Sequence, residues 1–115
     1  MRTHAYILVM NHEEAKVKAG ILKALSHPVR IIIVSELRKG DRCGLDLLPL
    51  VGRDQSVLSR HLACLKNAGI VTERRQGVKI ISHLECKCIL DALDCTLGVI
   101  KADLRRKNKI IRSKK

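Results

Sequence analysis

The sequence predicts a mainly α-helical domain with a small β-hairpin, an α+β fold. Apolar residues recur at three- to four-residue steps through most of the chain, whereas strand-like alternation is found near residues 78–84. Tyr6 is the only aromatic residue among 115, although apolar residues make up 46% of the chain. The core must therefore consist of aliphatic side chains, which suits helices packed on helices. We expect one domain over residues 12–106 and a basic, frayed tail over residues 107–115.

The first two helices are expected at residues 12–26 and 28–39. Pro28 fits the first turn of the second helix, where its missing N–H does no harm, and Gly40 ends that helix. The run Ile31–Val34 is locally strand-like, so tertiary packing must override the local preference for this helix to form.

Two further helices are expected in the middle of the chain. A turn at Asp41–Cys43 precedes a short apolar helix, Gly44–Val51, and a longer helix follows at Gln55–Ala68. Asp54 is a good N-cap for the longer helix, and Gly69 ends it. A short helix, a tight glycine-containing turn and a longer helix are the signature of a helix-turn-helix.

A hairpin and a last helix complete the prediction. Strands are expected at Ile70–Arg74 and Val78–Leu84, joined by a turn at Arg75–Gly77. The last helix runs from about residue 85 or 87 to residue 106. One of its faces carries an apolar stripe: Ile89, Leu93, Leu97, Ile100 and Leu104. A hairpin directly after a helix-turn-helix indicates a winged helix-turn-helix.

The helix predicted at Gln55–Ala68 has two chemically different sides. Leu58, Leu62 and Leu65 share one side and should face the core. Amides, hydroxyls and a guanidinium occupy the other, and such groups read base edges in the major groove and bind phosphates. The alternative is that this polar side is merely solvated. The short helix that precedes Gln55–Ala68 and the hairpin that follows it favour the DNA-binding interpretation. The predicted DNA contacts on this helix are Gln55, Ser56, Ser59 and Arg60.

Positive charge supports a polyanionic partner. The formal net charge is +12, and residues 101–115 hold eight Lys/Arg against one Asp. Arg74, Arg75 and Lys79 flank the hairpin turn and are predicted to contact phosphates or the flanking minor groove. The alternative for residues 101–115 is a tail that only keeps the protein in solution. The alternative for the hairpin cations is a charged strand edge that discourages the addition of further strands.

Four segments carry a family resemblance: Leu22–Arg30, Gln55–Leu62, Leu65–Val71 and Arg74–Gly77. In order and spacing they resemble the ArsR/SmtB (arsenic-repressor) family of winged helix-turn-helix regulators, over roughly residues 15–100. The resemblance implies a homodimeric repressor that releases its operator when an inducer binds, with the first and last helices forming the dimer interface. Because a symmetric dimer places its two reading helices about one DNA turn, roughly 34 Å, apart, the expected partner is an inverted-repeat operator in double-stranded DNA.

Three of the five cysteines, Cys86, Cys88 and Cys95, are the predicted metal ligands. Three thiolates suit thiophilic ions such as arsenite, mercury, cadmium or zinc. On a continuous helix Cys88 and Cys95 would be about 10.5 Å apart along the axis, which bonds of ~2.3 Å to one ion cannot span. Either Cys86 and Cys88 lie in a non-helical segment, or Cys95 comes from the second subunit. The alternatives for this group are interface packing or a redox pair that forms a disulfide.

Cys43 is a weaker candidate ligand. The resemblance implies two thiolates separated by one residue at the start of the helix before the reading helix; Cys43 matches the first, but Leu45 occupies the second position. Cadmium- and lead-sensing relatives carry a ligand that matches Cys64, yet their next ligand falls at Ala68. We therefore expect Cys64 to be a small packed side chain.

The predicted function is a sequence-specific repressor, with no required cofactor and a thiolate-bound arsenite or soft metal ion as inducer. Alternatives are a thiol redox-sensing regulator on the same fold and a winged-helix protein-interaction module. The sequence holds no Gly-rich phosphate loop, Ser/His/Asp order or HExxH motif, so we do not expect an enzyme. An odd cysteine count and the lack of a long apolar segment predict a cytoplasmic protein without a membrane partner.

Overall fold

The computed structural model of the chain describes residues 11–113. Within that range the predicted fold class and the order of the five helices are confirmed, and the sheet has a third strand. The chain divides into two compact units, one ending at Glu85 and the other beginning at Cys86. The elements in order are α1 (His12–Leu25), α2 (Pro28–Lys39), β1 (Arg42–Cys43), α3 (Gly44–Leu47), a 3-10 turn (Leu48–Val51), α4 (Gln55–Asn67), β2 (Val71–Gln76), β3 (Lys79–Leu84) and α5 (Asp91–Ser113). The helix expected at Gly44–Val51 is thus α-helical only as far as Leu47 and continues as the 3-10 turn.

The strand-like run Ile31–Val34 is helical, as the prediction required. Ile33 and Val34 are completely buried within α2, so their packing outweighs the strand preference of β-branched residues. His27 caps this helix: its Nδ1 accepts a hydrogen bond from the backbone N–H of Val29 at 3.1 Å, and Pro28 occupies the first turn.

The core of the first unit is aliphatic, as the composition predicted. It lies among α2, α3, α4 and the sheet, and truncating one of its leucines to alanine would cost about 2–5 kcal/mol of stability. Its largest fully buried apolar side chains are Ile33, Val34, Leu37, Leu47, Leu58, Leu65, Val71 and Leu84.

The turn expected at Asp41–Cys43 is wrong in part, because Arg42 and Cys43 form the short strand β1. It pairs antiparallel with β3, with Arg42 opposite Ser82 and Cys43 opposite Ile81, and the sheet order is β1-β3-β2. A strand of two residues is too short to show alternation in the sequence. It covers the backbone edge that β3 would otherwise leave unpaired.

The hairpin between β2 and β3, called the wing below, turns later than expected. β2 continues through Gln76, which pairs with Lys79, so the turn consists of Gly77 and Val78. Gly77 has φ 66°, a left-handed conformation that glycine adopts without strain. Val78 is fully exposed at the tip and does not belong to the return strand, contrary to the prediction.

α5 also differs from the prediction at both ends. Turns formed by Ile89 N–H to the Cys86 carbonyl and Asp91 N–H to the Cys88 carbonyl precede it, so it begins at Asp91 rather than near residue 85 or 87. It then extends past residue 106 to Ser113 through most of the stretch expected to fray, and residues 114–115 lie outside the described range. An ion pair of 2.9 Å between Asp103 and Lys107 spans the expected end of the helix and supports its continuation.

The described helices include none that could serve as a membrane span, since none combines the necessary length with sufficient apolar character.

Candidate nucleic-acid interface

A tight turn sets the start of α4. Gly52 and Arg53 both have left-handed backbone angles, with φ 65° and 61°, and Asp54 then caps the helix. The Oδ1 atom of Asp54 accepts hydrogen bonds from the backbone N–H groups of Ser56 and Val57, at 3.0 and 3.2 Å. It also accepts the Ser56 hydroxyl at 2.7 Å. This hydroxyl and the two N–H groups hold the pKa of the Asp54 carboxyl below its usual value, so the cap is anionic at neutral pH.

The two predicted sides of α4 are present in the structure. Leu58, Leu62 and Leu65 are buried, and they fix the helix against the core of the first unit. The four residues predicted to contact DNA from this helix, Gln55, Ser56, Ser59 and Arg60, are all exposed. Because both the hydroxyl and the backbone N–H of Ser56 donate to Asp54, Ser56 would meet DNA as a hydrogen-bond acceptor through its hydroxyl oxygen.

A polar cluster behind α4 joins the helix to α2. The Nε–H of Arg30 donates to the Nδ1 atom of His61 at 3.1 Å, and its Nη1 donates to the Ala24 carbonyl at 3.2 Å. The rings of His27 and His61 lie 4.6 Å apart. Burial lowers the pKa of His61, and the charges of His27 and Arg30 lower it further. The neutral ring of His61 is therefore part of the packing that orients α4.

Ion pairs connect the wing to the rest of the first unit. Lys66 at the end of α4 lies 2.6 Å from Glu73 on β2. Arg74 donates to Asp41 at 2.6 Å, and His83 lies 2.7 Å from the other oxygen of the same carboxylate. These two hydrogen bonds, that of His83 first, lower the pKa of Asp41. Arg74, a predicted phosphate contact, is therefore already engaged by an acid.

The three wing cations do not share one face. Arg74 pairs with Ile81 and Arg75 with Ile80, and successive residues of a strand project to opposite faces. Arg75 shares its face with Ser82, which is buried, and hence with the side of the sheet that faces the core. Lys79, opposite Gln76, shares the face of Arg74.

A groove of about 540 Å³ lies between α4 and the wing. Gln55 and Ser59 line it from α4, and Lys79 lines it from β3. Predicted DNA contacts from both elements thus border one concave surface, with the apolar side chains of Leu45 and Ile80 beside them.

Of the predicted metal ligands, the structure brings together Cys86 and Cys88. Their Sγ atoms are 3.1 Å apart, both residues are exposed, and both lie in the non-helical segment before α5. The hydrogen bond with Cys86 raises the pKa of the Cys88 thiol. Cys95 is exposed on α5, and residues 11–113 contain no cluster of three or more His, Cys, Asp or Glu that could hold a metal ion within one chain.

Cys43 has a local structural role. It is the N-cap residue of α3 and is buried; its thiol donates to an Asp46 carboxylate oxygen at 3.1 Å, and its backbone N–H donates to the same oxygen. These two hydrogen bonds, that of the thiol first, lower the pKa of Asp46. Cys64 is half-buried within α4.

Comparison with known proteins identifies the class of this scaffold. The sequence profile described as "Bacterial regulatory protein, arsR family" matches residues 27–73, which hold α2, α3 and α4. The chain is 39% identical over 77 residues to the HTH-type transcriptional repressor SmtB of Mycobacterium tuberculosis; that match covers 64% of this chain and 57% of SmtB, little more than half of the relative's length.

Two further relatives are matched over more of their length. The chain is 33% identical to the HTH-type transcriptional regulator NmtR of M. tuberculosis, covering 74% of this chain and 71% of NmtR. The crystal structure of M. tuberculosis Rv0081 superposes with a TM-score of 0.69 at 32% identity, covering 84% of this chain and 98% of that one. These relatives are regulators rather than enzymes, in agreement with the prediction. The chain belongs to the ArsR family of bacterial regulatory proteins.

Proposed function

We propose that this protein is a DNA-binding transcriptional repressor that acts as a homodimer on an inverted-repeat operator. The observation that carries the proposal is the exposed polar side of α4, with Gln55, Ser59 and Arg60 available at its N-terminal half. Gln pairs bidentately with adenine and Arg with guanine in the major groove. Ser59 is small enough to let the helix approach the bases closely.

Exposed apolar side chains supply the dimer surface. Leu97, Ile100 and Leu104 on α5 are each about half exposed, and Val17 and Leu22 on α1 are more exposed still. Exposed apolar side chains grouped on one element in this way mark a protein–protein interface. A two-fold dimer would repeat α4 at a spacing of about one DNA turn.

Binding-site selection from randomised duplexes, followed by a mobility shift on the selected site, tests the proposal. We expect an inverted repeat with half-site centres about 10 base pairs apart and an affinity that falls steeply with salt. Failure of the folded protein to shift any duplex at low salt would refute the proposal. A shift with a shallow salt dependence would instead favour the protein-interaction module.

A thiophilic ion is the inducer we propose, held by Cys86 and Cys88. The two sulfur atoms are adjacent, exposed and on a segment free of helical constraints, which suits soft ions such as arsenite. In the dimer, Cys95 of the second copy is the third thiolate that we propose for such an ion. No metal or other cofactor is needed for the DNA-binding scaffold itself.

The 3.1 Å separation of the two sulfur atoms also favours a second candidate, a redox switch. Oxidation would join the two sulfurs and release two protons, while two electrons pass to an oxidant such as diamide or a peroxide. Operator release by arsenite, zinc or diamide, measured for wild type and for Cys86→Ser/Cys88→Ser, separates the two candidates. Operator release by arsenite in the wild type but not in the double variant supports the bound ion as inducer. Release by diamide but not by arsenite or zinc supports the redox switch. A double variant that still responds fully would refute both candidates.

A further inference from the structure

A row of cations follows one side of the C-terminal half of α5. Lys101, Arg105 and Lys109 succeed one another at four-residue steps, and all three are exposed. Residues at this spacing lie on one face of a helix. The three residues are called the basic row below. Around the helix they lie between about 40° (Lys101) and about 140° (Lys109) from Leu97 and Leu104 of the apolar stripe.

The basic row has no acidic counterpart within the helix. No Asp or Glu occupies a position three or four residues from any of its members, so the three like charges repel one another. Two neighbouring cations on the same helix are paired with an acid: Asp103 lies 2.9 Å from Lys107 and 3.9 Å from Arg106. A polyanion that neutralised the row would relieve the repulsion, so the surface favours such a partner.

We propose that the basic row is a second DNA-binding surface, which contacts duplex phosphates without reading sequence. The inference rests on the proposed function and adds a contact that neither α4 nor the wing supplies. Members of the row are about 6 Å apart along the helix axis, and a DNA strand carries one phosphate per ~3.4 Å of axis. Each cation can therefore meet its own phosphate.

The chemistry of α5 favours DNA over an anionic membrane. Helices that lie in a membrane interface insert a broad apolar face and commonly anchor it with aromatic side chains. α5 contains no aromatic residue, and its apolar stripe is the surface that we assign to the dimer.

The test compares two double variants of the full chain that lose the same charge from the same stretch of helix. Arg105→Gln/Lys109→Gln removes two members of the row, whereas Arg106→Gln/Lys107→Gln removes the two cations paired with Asp103. Affinity for a duplex of about 40 base pairs with no operator is measured between about 50 and 200 mM salt. Circular dichroism checks that both variants keep α5 helical, and Arg105→Lys/Lys109→Arg keeps the charge.

We expect the row variant to flatten the slope of log affinity against log salt by about 1.8 per chain. The charge-preserving variant should keep the wild-type slope, and the paired-cation variant should change it by much less than the row variant. The inference would be overturned if all variants had the same slope, or if the row variant and the paired-cation variant lost the same amount of slope. Either result would leave the proposed function intact. The inference would also be overturned if the row variant lost binding to phosphatidylserine vesicles while its slope of log DNA affinity against log salt stayed at the wild-type value. Absence of any duplex binding by wild type would instead refute the proposed function.

Discussion

His61 connects α4 to the rest of the first unit through a ring nitrogen that carries no proton. The Nε–H of Arg30 donates a hydrogen bond to the Nδ1 atom of His61. In a protonated ring Nδ1 carries a hydrogen itself and cannot accept this bond. Burial, then the charges of His27 and Arg30, lower the pKa of His61. Because the folded pKa lies below the unfolded value of about 6.5, this stabilisation is fully present above that pH. It is lost as the pH falls through the folded pKa.

We therefore predict that the melting temperature falls between about pH 7.5 and pH 5, and that His61→Gln reduces the fall. The glutamine amide oxygen can accept from Arg30 at any pH. His12→Gln, on the exposed first turn of α1, is the matched control and should keep the wild-type pH dependence. Thermal unfolding followed by circular dichroism measures the effect. An unchanged pH dependence in His61→Gln would show that the ring does not set it.

Residue chemistry predicted part of the site and missed the rest. The side of α4 on which each residue lies followed from helical spacing, and Asp54 was predictable as a cap because a carboxylate there satisfies free backbone N–H groups. The Arg30–His61 bond joins residues 31 positions apart. Such a contact depends on how two helices cross, which local pattern does not determine.

At the scale of the element, the wing separates two neighbouring arginines. Arg74 is 2.6 Å from Asp41, whereas Arg75 lies on the other face of the hairpin. A cation that is already paired with an acid contributes less to the free energy of DNA binding, because the contact with a phosphate would break the existing ion pair. The two positions therefore differ in what they can contribute to DNA binding, although the sequence alone made them equivalent.

We predict that Arg75→Ala weakens binding to operator and unrelated DNA by a similar factor and lowers the salt slope by about 0.9 per chain. Arg74→Ala should change the slope by clearly less. Fluorescence anisotropy at several salt concentrations measures both. A larger effect of Arg74→Ala than of Arg75→Ala would contradict the assignment.

Element boundaries were less predictable than element types. Local signals for the helices were strong: Pro28, Gly40, Asp54 and Gly69 each mark an end. β1 could not be predicted from the sequence, because it is two residues long and is defined only by its pairing with the distant strand β3. The start of α5 at Asp91 depends on backbone turns at Cys86–Asp91, and no proline or glycine marks that position in the sequence.

At the scale of the whole molecule, activity is expected to depend on a second copy of the chain. The apolar stripe of α5 remains about half exposed at Leu97, Ile100 and Leu104 in one chain. A polar substitution there should be tolerated by the monomer and harmful to the dimer, because the side chains have little to lose within their own chain.

We predict that Leu97→Glu shifts the protein to a monomer and weakens operator binding by at least about 100-fold, since two linked half-sites bind far more tightly than one. Val99→Glu is the matched control, because Val99 is exposed on the same helix but lies off the stripe. Sedimentation velocity reports the oligomeric state, and a dimeric Leu97→Glu protein would place the interface elsewhere.

Methylation protection of guanine N7 on the selected operator tests most directly whether the polar side of α4 enters the major groove. We predict two protected patches about 10 base pairs apart, with protection reduced in both when Arg60 is replaced by alanine. Saturating protein that leaves every guanine N7 reactive, or that protects only adenine N3 in the minor groove, would contradict this account.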